Sequence, residues 1–340
     1  MILVVSHADD GHTCAVLEQL RQLGASTFLF DLSTFPCRTS LSLSYNSEIG
    51  RMFTLRTEAG QTVDLDSCHA VWWRRPQHFQ IDPGIINPSE RAFTYNECHE
   101  AVSGLWEGLD AFWINDPRLD DAAAKKSFHL WAASQAGLIT PLTLITNDVD
   151  EARAFVASVG IGRTIYKSFS ATETQWRETR VLQSGEEDLL DRVHLAPVIF
   201  QQFVPADIDL RVTIVGNRQF PAAISTRKGG YAYDYRIDLA TARLEATTLP
   251  PDVGAALARL MRRLGLVFGA VDMRRTPDGQ YVFLEINPAG LWLFVEEQTG
   301  QPVTRALAEL LAQHDIPSSV PQPPAGSPGL GPRRGGAGNQ

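Results

Sequence analysis

The sequence predicts an α/β protein of α+β layout, divided into two or three lobes. Three observations predict it. An apolar run, an amphipathic helix and a second apolar run open the chain as a βαβ unit, strand and helix patterns continue to alternate through the middle, and the last third holds hairpins before a closing helix. At 340 residues, 44% hydrophobic and 20% charged, the chain has enough apolar material for more than one core. Its net charge of −9 gives no general attraction to nucleic acid or to an anionic membrane, so any phosphate binding would depend on locally placed cations. No apolar run approaches the ~20 residues that span a bilayer, and Met1–Val5 lacks a basic lead-in and a cleavage site. The expectation is a cytoplasmic protein with no membrane and no nucleic-acid partner.

Residues 2–5 read as a buried strand, 12–23 as a helix with Val16, Leu17, Leu20 and Leu23 on one side, and 27–31 as a second strand. No G-x-G-x-x-G turn joins them, which argues against a Rossmann dinucleotide site. His7-Ala-Asp-Asp-Gly-His12 reads as a helix cap through Asp9 or Asp10 rather than as a metal or catalytic pair. Alternating runs follow at 40–45 and 52–56, then Trp72-Trp73-Arg74-Arg75-Pro76. That segment could stack on bases, but the acidic total favours a strand with core and solvent faces, one that could touch a peptide. A helix over 89–109 and the Asp116-Pro117 step close the first lobe. Cys14, Cys37, Cys68 and Cys98 are scattered without C-x-x-C spacing, so they read as reduced, mostly buried thiols.

Residues 118–136 read as one long Ala-rich helix ending at Gly137, and on that segment alone Lys125 and Lys126 are solvated helix residues. A helix over 148–158 precedes a strand at 164–167, which sets Lys167 in apolar surroundings, as an edge gatekeeper or as a phosphate-binding cation. The run 198–203 is an apolar strand. In 209–215 charged and apolar residues alternate, so Asp209 and Arg211 share a face, and Gly216-Asn217 turns the chain back over 220–225. Arg227, Lys228 and Arg236 make the most cation-rich short segment outside the tail. Helices are expected at 252–264 and 303–312, and the Pro-, Gly- and Ser-rich 317–340 reads as a disordered tail.

Between those helices lies the most informative stretch, Phe268 to Gly290. Two apolar runs flank Pro277-Asp278-Gly279 and read as a hairpin. A loop of Pro277 to Gln280 pairs Thr276 with Tyr281 and brings Asp272 opposite Glu285. Side-chain alternation adds Asn287 to their face and sends Leu284 and Ile286 into a core. Two carboxylates and an amide oxygen suit a hard divalent ion such as Mg²⁺; the alternative is a solvated charge pair on an open face.

In this order, a helix lysine, a strand lysine, Gln201-Gln202-Phe203-Val204, Asp209-x-Arg211, Asp272 and Glu285-x-Asn287-Pro288, the chain resembles the ATP-grasp superfamily. It is most similar to the graspetide (microviridin-type) ribosomal-peptide ligases, relatives of RimK-type glutamate ligases. The resemblance spans roughly residues 110–312 and is most specific at Val271-Asp272, at 284–292 and at Glu297-x-Thr299-Gly300, while Trp-x-Arg-Arg-Pro at 72–76 looks like the N-terminal domain of the same ligases. It implies a pre-ATP-grasp domain over 1–115, a central lobe over 116–197 and a C-terminal lobe with the metal site over 198–316, with ATP held between the two lobes.

Carried over residue by residue, the resemblance implies that Lys126 and Lys167 bind the ATP phosphates and that Gln201, Phe203 and Val204 line the adenine slot. Asp209 would sit near the ribose, with Asp207 as its competitor. Arg211, Arg227 and Arg236 would face the γ-phosphate and the substrate carboxylate, and Asp272, Glu285 and Asn287 would hold Mg²⁺. The implied activity converts ATP to ADP and phosphate while joining Asp/Glu carboxylates of a precursor peptide, with its leader and core, to Ser/Thr hydroxyls or Lys amines. A ligase of free amino acids or small carboxylates, and a non-catalytic nucleotide- or peptide-binding protein, are the alternatives; a homodimer is one candidate assembly. The sequence departs from the family at Gln202, where an acidic residue is frequent, and in the glycine-free loop after Lys167.

Overall fold

The computed structural model describes residues 1–47, 50–169, 179–225 and 242–315. Arg227, Arg236 and the 317–340 tail therefore lie outside the described residues, as does most of the loop after Lys167. Among the described residues no helix is long and apolar enough to cross a membrane.

The first layer is a parallel sheet in the order β2–β1–β6–β7, formed by β1 (Ile2–Val5), β2 (Thr27–Phe30), β6 (Ala70–Trp73) and β7 (Phe112–Ile114). Ile2 to Val5 have no exposed surface, as expected of a parallel strand covered on both faces. On one face pack α1 (Gly11–Gln22) and the C-terminal α8 (Val303–His314). On the other pack α2 (Pro88–Gly108) and a small antiparallel sheet of β3 (Thr39–Asn46), β4 (Gly50–Thr57) and β5 (Thr62–Asp64). Asp10 caps α1 as its position predicts, accepting the Thr13 amide at 2.9 Å. All four cysteines are free; Cys68 and Cys98 are buried, but Cys14 and Cys37 are exposed, contrary to the expectation of mostly buried thiols.

The helix expected over 118–136 is two helices, α3 (Pro117–Ala124) and α4 (Lys126–Gln135). Lys125 between them is extended, at φ −74° and ψ 112°. Helix propensity favours continuing through this Ala-rich run, yet the break lets Ala123, Ala132 and Ala133 all bury fully in one core, so tertiary packing overrides a weak local preference.

The middle sheet, β10–β9–β11–β8, comprises β8 (Thr143–Thr146), β9 (Thr164–Lys167), β10 (Arg180–Val181) and β11 (Val198–Gln202), backed by α5 (Val149–Val159) and a 3-10 helix over Glu187–Leu195. The largest sheet is antiparallel, β14–β13–β12–β15–β16. It is made from β12 (Ile208–Val215), β13 (Arg218–Ser225), β14 (Arg243–Ala246), β15 (Phe268–Arg275) and β16 (Tyr281–Asn287). One of its faces packs on α3, α4 and α6 (Pro251–Leu264). After β16 a turn leads into α7 (Leu293–Thr299) and then α8.

Candidate functional site

Asp272 on β15 pairs with Glu285 on β16, directly opposite in the ladder. The route to that pairing differs from the simple hairpin count. Arg275, not Thr276, pairs with Tyr281, so the loop is one residue longer than expected, and a register shift between Asp272 and Met273 makes Leu284 the extra residue. The longer loop and the bulge cancel. The bulge also corrects Leu284: Phe283 and Ile286 sit in the helix-backed core, whereas Leu284 is half-buried outside it. Asn287, two residues beyond Glu285, is exposed, and its Oδ1 accepts the Ala289 amide at 2.9 Å.

On β12, Arg211 lies opposite Asp272 and Asp209 opposite Arg274, giving two cross-strand ion pairs of reversed polarity. Arg211 Nη1 donates to Asp272 Oδ1 at 2.9 Å, both residues being buried, and Arg274 Nε donates to Asp209 Oδ1 at 2.8 Å. Arg274 also donates to the Val204 carbonyl at 2.8 Å and lies 5.4 Å over the Phe203 ring. The segment assigned to the adenine slot and the aspartate assigned to the ribose are thus gathered around one buried arginine. Asp207 instead faces the exposed side, 3.4 Å from Arg275.

The break at Lys125 decides which lysine turns inward. Lys125 is exposed and pairs with Asp121 one turn back at 2.7 Å. Lys126, the first residue of α4, reaches Glu285 Oε2 at 3.2 Å. Lys167 leaves β9 to donate to Gln201 Oε1 at 3.2 Å, and the buried Gln201 amide donates to Thr143 Oγ1 at 2.9 Å.

Sequence reasoning passed over His129, which links these groups. It is buried in α4, edge-on to Phe283, with Nδ1 3.2 Å from the Ala123 carbonyl across the helix break. Burial drives its pKa down to about 4; the Ala123 carbonyl and Glu285 act the other way, and Lys126 and Lys167 add to the depression. Glu285 and the two lysines thus pull the charge of this ring in opposite directions. The available signal was its i, i+3 spacing from Lys126, but a histidine in an apolar helix reads equally well as core.

The donor set fits a hard divalent cation. Asp272, Glu285 and Asn287 offer only oxygen, and two of them already draw cations, Arg211 and Lys126, against their carboxylates. Among the described residues no group of three His, Cys, Asp or Glu is spaced to hold a metal ion.

Residues 1–120 match the family described as the MvdD pre-ATP grasp domain. Among solved structures, the chain is similar to the macrocyclase MdnC bound with precursor peptide MdnA from Microcystis aeruginosa MRC. That match has a TM-score of 0.81 and 28% identity and covers 92% of this chain and 99% of that one. Macrocyclase MdnB from the same source matches with a TM-score of 0.77 and 29% identity, covering 91% and 98% of the two chains. A Chryseobacterium gregarium RiPP-associated ATP-grasp ligase, in complex with ADP and a leader and core peptide, shares the fold. Its TM-score is 0.83 at 23% identity, over 92% and 96% of the two chains. No curated protein matches at the sequence level.

Proposed function

From the premise that this chain has the ATP-grasp fold and resembles the graspetide-type ligases, we propose that it is an ATP-dependent carboxylate ligase acting on a ribosomal precursor peptide. The observation that carries this reading is the convergence of Lys126, Glu285, Asp272 and Arg211, two ion pairs joined by the Asp272–Glu285 ladder pair.

A carboxylate is a poor electrophile, and it repels the anionic nucleotide. In this reading Lys126, Lys167 and Arg211 spread charge from the transferring phosphoryl group, while Phe203, Val204 and Gln201 border the base and Asp209 the ribose. Asp272, Glu285 and Asn287 would hold Mg²⁺, which would supply positive charge against the phosphates. The peptide carboxylate takes the γ-phosphoryl group to give an acyl phosphate and ADP. A Ser or Thr hydroxyl, or a Lys amine, then attacks the acyl carbon, loses its proton and expels phosphate, leaving an ester or an amide. Arg227 and Arg236, outside the described residues, are assigned with Arg211 to the substrate carboxylate.

Incubation of the protein and MgATP with peptides encoded beside its gene tests the proposal. The expected result is ADP release coupled to loss of one water from the peptide per bond formed. Nucleotide binding without ADP or dehydrated peptide would favour a non-catalytic binder, and turnover on free amino acids alone would favour a small-substrate ligase.

A further inference from the structure

Arg74 and His12 belong to the first layer of the fold, far in sequence from the residues discussed above, yet both are buried against the turn that follows β16. Arg74 Nη1 donates to the carbonyls of Ala289 at 2.7 Å and Gly290 at 3.2 Å, and its Nε lies 3.3 Å from Asp10 Oδ2. Its guanidinium stands 5.0 Å over the fully buried Trp292 ring. His12 Nε2 accepts two successive backbone amides, Trp292 at 3.1 Å and Leu293 at 3.2 Å. Burial, reinforced by the Arg74 charge, drives the His12 pKa down to about 4, so the ring is neutral and keeps one acceptor nitrogen, which the two amides locate at Nε2.

Asn115, also buried, donates to the Pro288 carbonyl at 3.2 Å and the Phe268 carbonyl at 3.0 Å, and its Oδ1 accepts the amides of Val267 and Phe268 at 2.9 Å. From the opposite side Arg211 Nη2 donates to the Leu291 carbonyl at 3.0 Å. The turn has little freedom to shift: a Cβ on Gly290 would stand 2.4 Å from the Ala270 Cβ and 2.8 Å from Arg211 Nη2. A buried turn must find partners for its backbone groups, and here side chains of the first layer supply five: the carbonyls of Pro288, Ala289 and Gly290 and the amides of Trp292 and Leu293.

We infer that Arg74, with His12 and Asn115, positions the proposed nucleotide–metal site: by gripping backbone groups of 288–293 the first layer fixes the end of β16, and with it Glu285 and Asn287. The inference rests on the ligase reading. Arg74 and His12 act through backbone and are not assigned to nucleotide, metal or peptide. Loosening either is expected to weaken the Mg²⁺-linked part of nucleotide binding.

The test compares wild type with Arg74→Met, His12→Leu and His12→Gln, whose side-chain carbonyl can replace Nε2 as an acceptor. Amide hydrogen exchange over 287–293 is read in the nucleotide-free protein, and ADP affinity is titrated with and without Mg²⁺. In Arg74→Met and His12→Leu, exchange should rise at least ~10-fold and the affinity gained from Mg²⁺ should fall by about tenfold, the scale for groups that orient metal ligands, while His12→Gln stays near wild type. Unchanged exchange in both disruptive variants overturns the inference, as does a full Mg²⁺ gain despite raised exchange. Should Arg74→Met fail to fold, the contrast between His12→Leu and His12→Gln decides alone. A wild type with no Mg²⁺ gain marks failure of the metal assignment instead, and the inference falls with it; a responsive wild type with responsive variants marks failure of the inference alone.

Discussion

Lys126 Nζ lies 3.2 Å from Glu285 Oε2, although 159 residues separate them in sequence. The contact joins the start of α4 to the edge strand β16, and both side chains keep about a fifth of their surface open, at 22% and 21%. A charge pair left this open can exchange partners. In the proposed reaction Lys126 would turn to phosphate and Glu285 to the metal ion.

Glu285→Ala should therefore abolish turnover without unfolding the protein, because in the proposed reading it removes a metal ligand and not a core contact. ADP release in the presence of the precursor peptide should drop by at least ~100-fold, and thermal melting should stay within a few degrees of wild type. Turnover surviving in a folded variant would remove Glu285 from the metal site.

The two neighbouring lysines should separate cleanly. Lys126→Met is expected to weaken ADP binding by about tenfold, equivalent to ~1.4 kcal/mol, whereas Lys125→Met, which breaks only an exposed i, i+4 pair, should stay within about twofold. Isothermal titration of both variants checks it, and equal losses would contradict the assignment.

Arg211→Ala leaves the buried Asp272 carboxylate without the guanidinium that pairs with it. Loss of one partner from a buried pair costs about 3–5 kcal/mol, so both denaturant stability and ADP release should fall. Arg75 is exposed, and Arg75→Ala should change neither. Added Mg²⁺ should recover part of the Arg211→Ala stability loss, because a cation near Asp272 replaces the missing charge.

His129 gives a pH signature. Its folded pKa of about 4 lies below its ordinary value of 6.5, so between these values the unfolded chain binds more protons. The stability it contributes is complete above about pH 6.5 and declines as pH falls toward 4, by at most ~3 kcal/mol. Asp120, pushed up to about 6 by burial, titrates in the same window with opposite sign, its contribution declining as pH rises. The measurement is therefore a difference. His129→Asn keeps a donor for the Ala123 carbonyl but does not titrate, so the stability advantage of wild type over this variant should shrink between about pH 7 and pH 5. A constant advantage would place the proton elsewhere.

Much of the fold was legible because its signals are local. Apolar runs marked β1 and β15, charged–apolar alternation marked β12, Asp10 announced the start of α1, and Gly216-Asn217 made the turn between β12 and β13. The carboxylate pair was legible too, though by compensation: an extra loop residue and an extra residue in β16 shift the register in opposite senses. The break at Lys125 and the bulge at Leu284 were hidden, since each obeys the packing of a core assembled from distant segments rather than the preference of its own residues.

By itself the sequence determined the residue types, the faces that Asp209, Arg211, Asp272 and Glu285 share, and the order of elements, because strand alternation and turn chemistry act over a few residues. Only the tertiary structure decided that Lys126, the lysine implied by the resemblance, reaches Glu285, that the buried His129 packs edge-on to Phe283, and that Arg74 and His12 clasp the turn after Asn287. Those choices depend on which buried polar groups and charges find partners, and such partners come from chain segments up to 281 residues apart, beyond the reach of any local pattern.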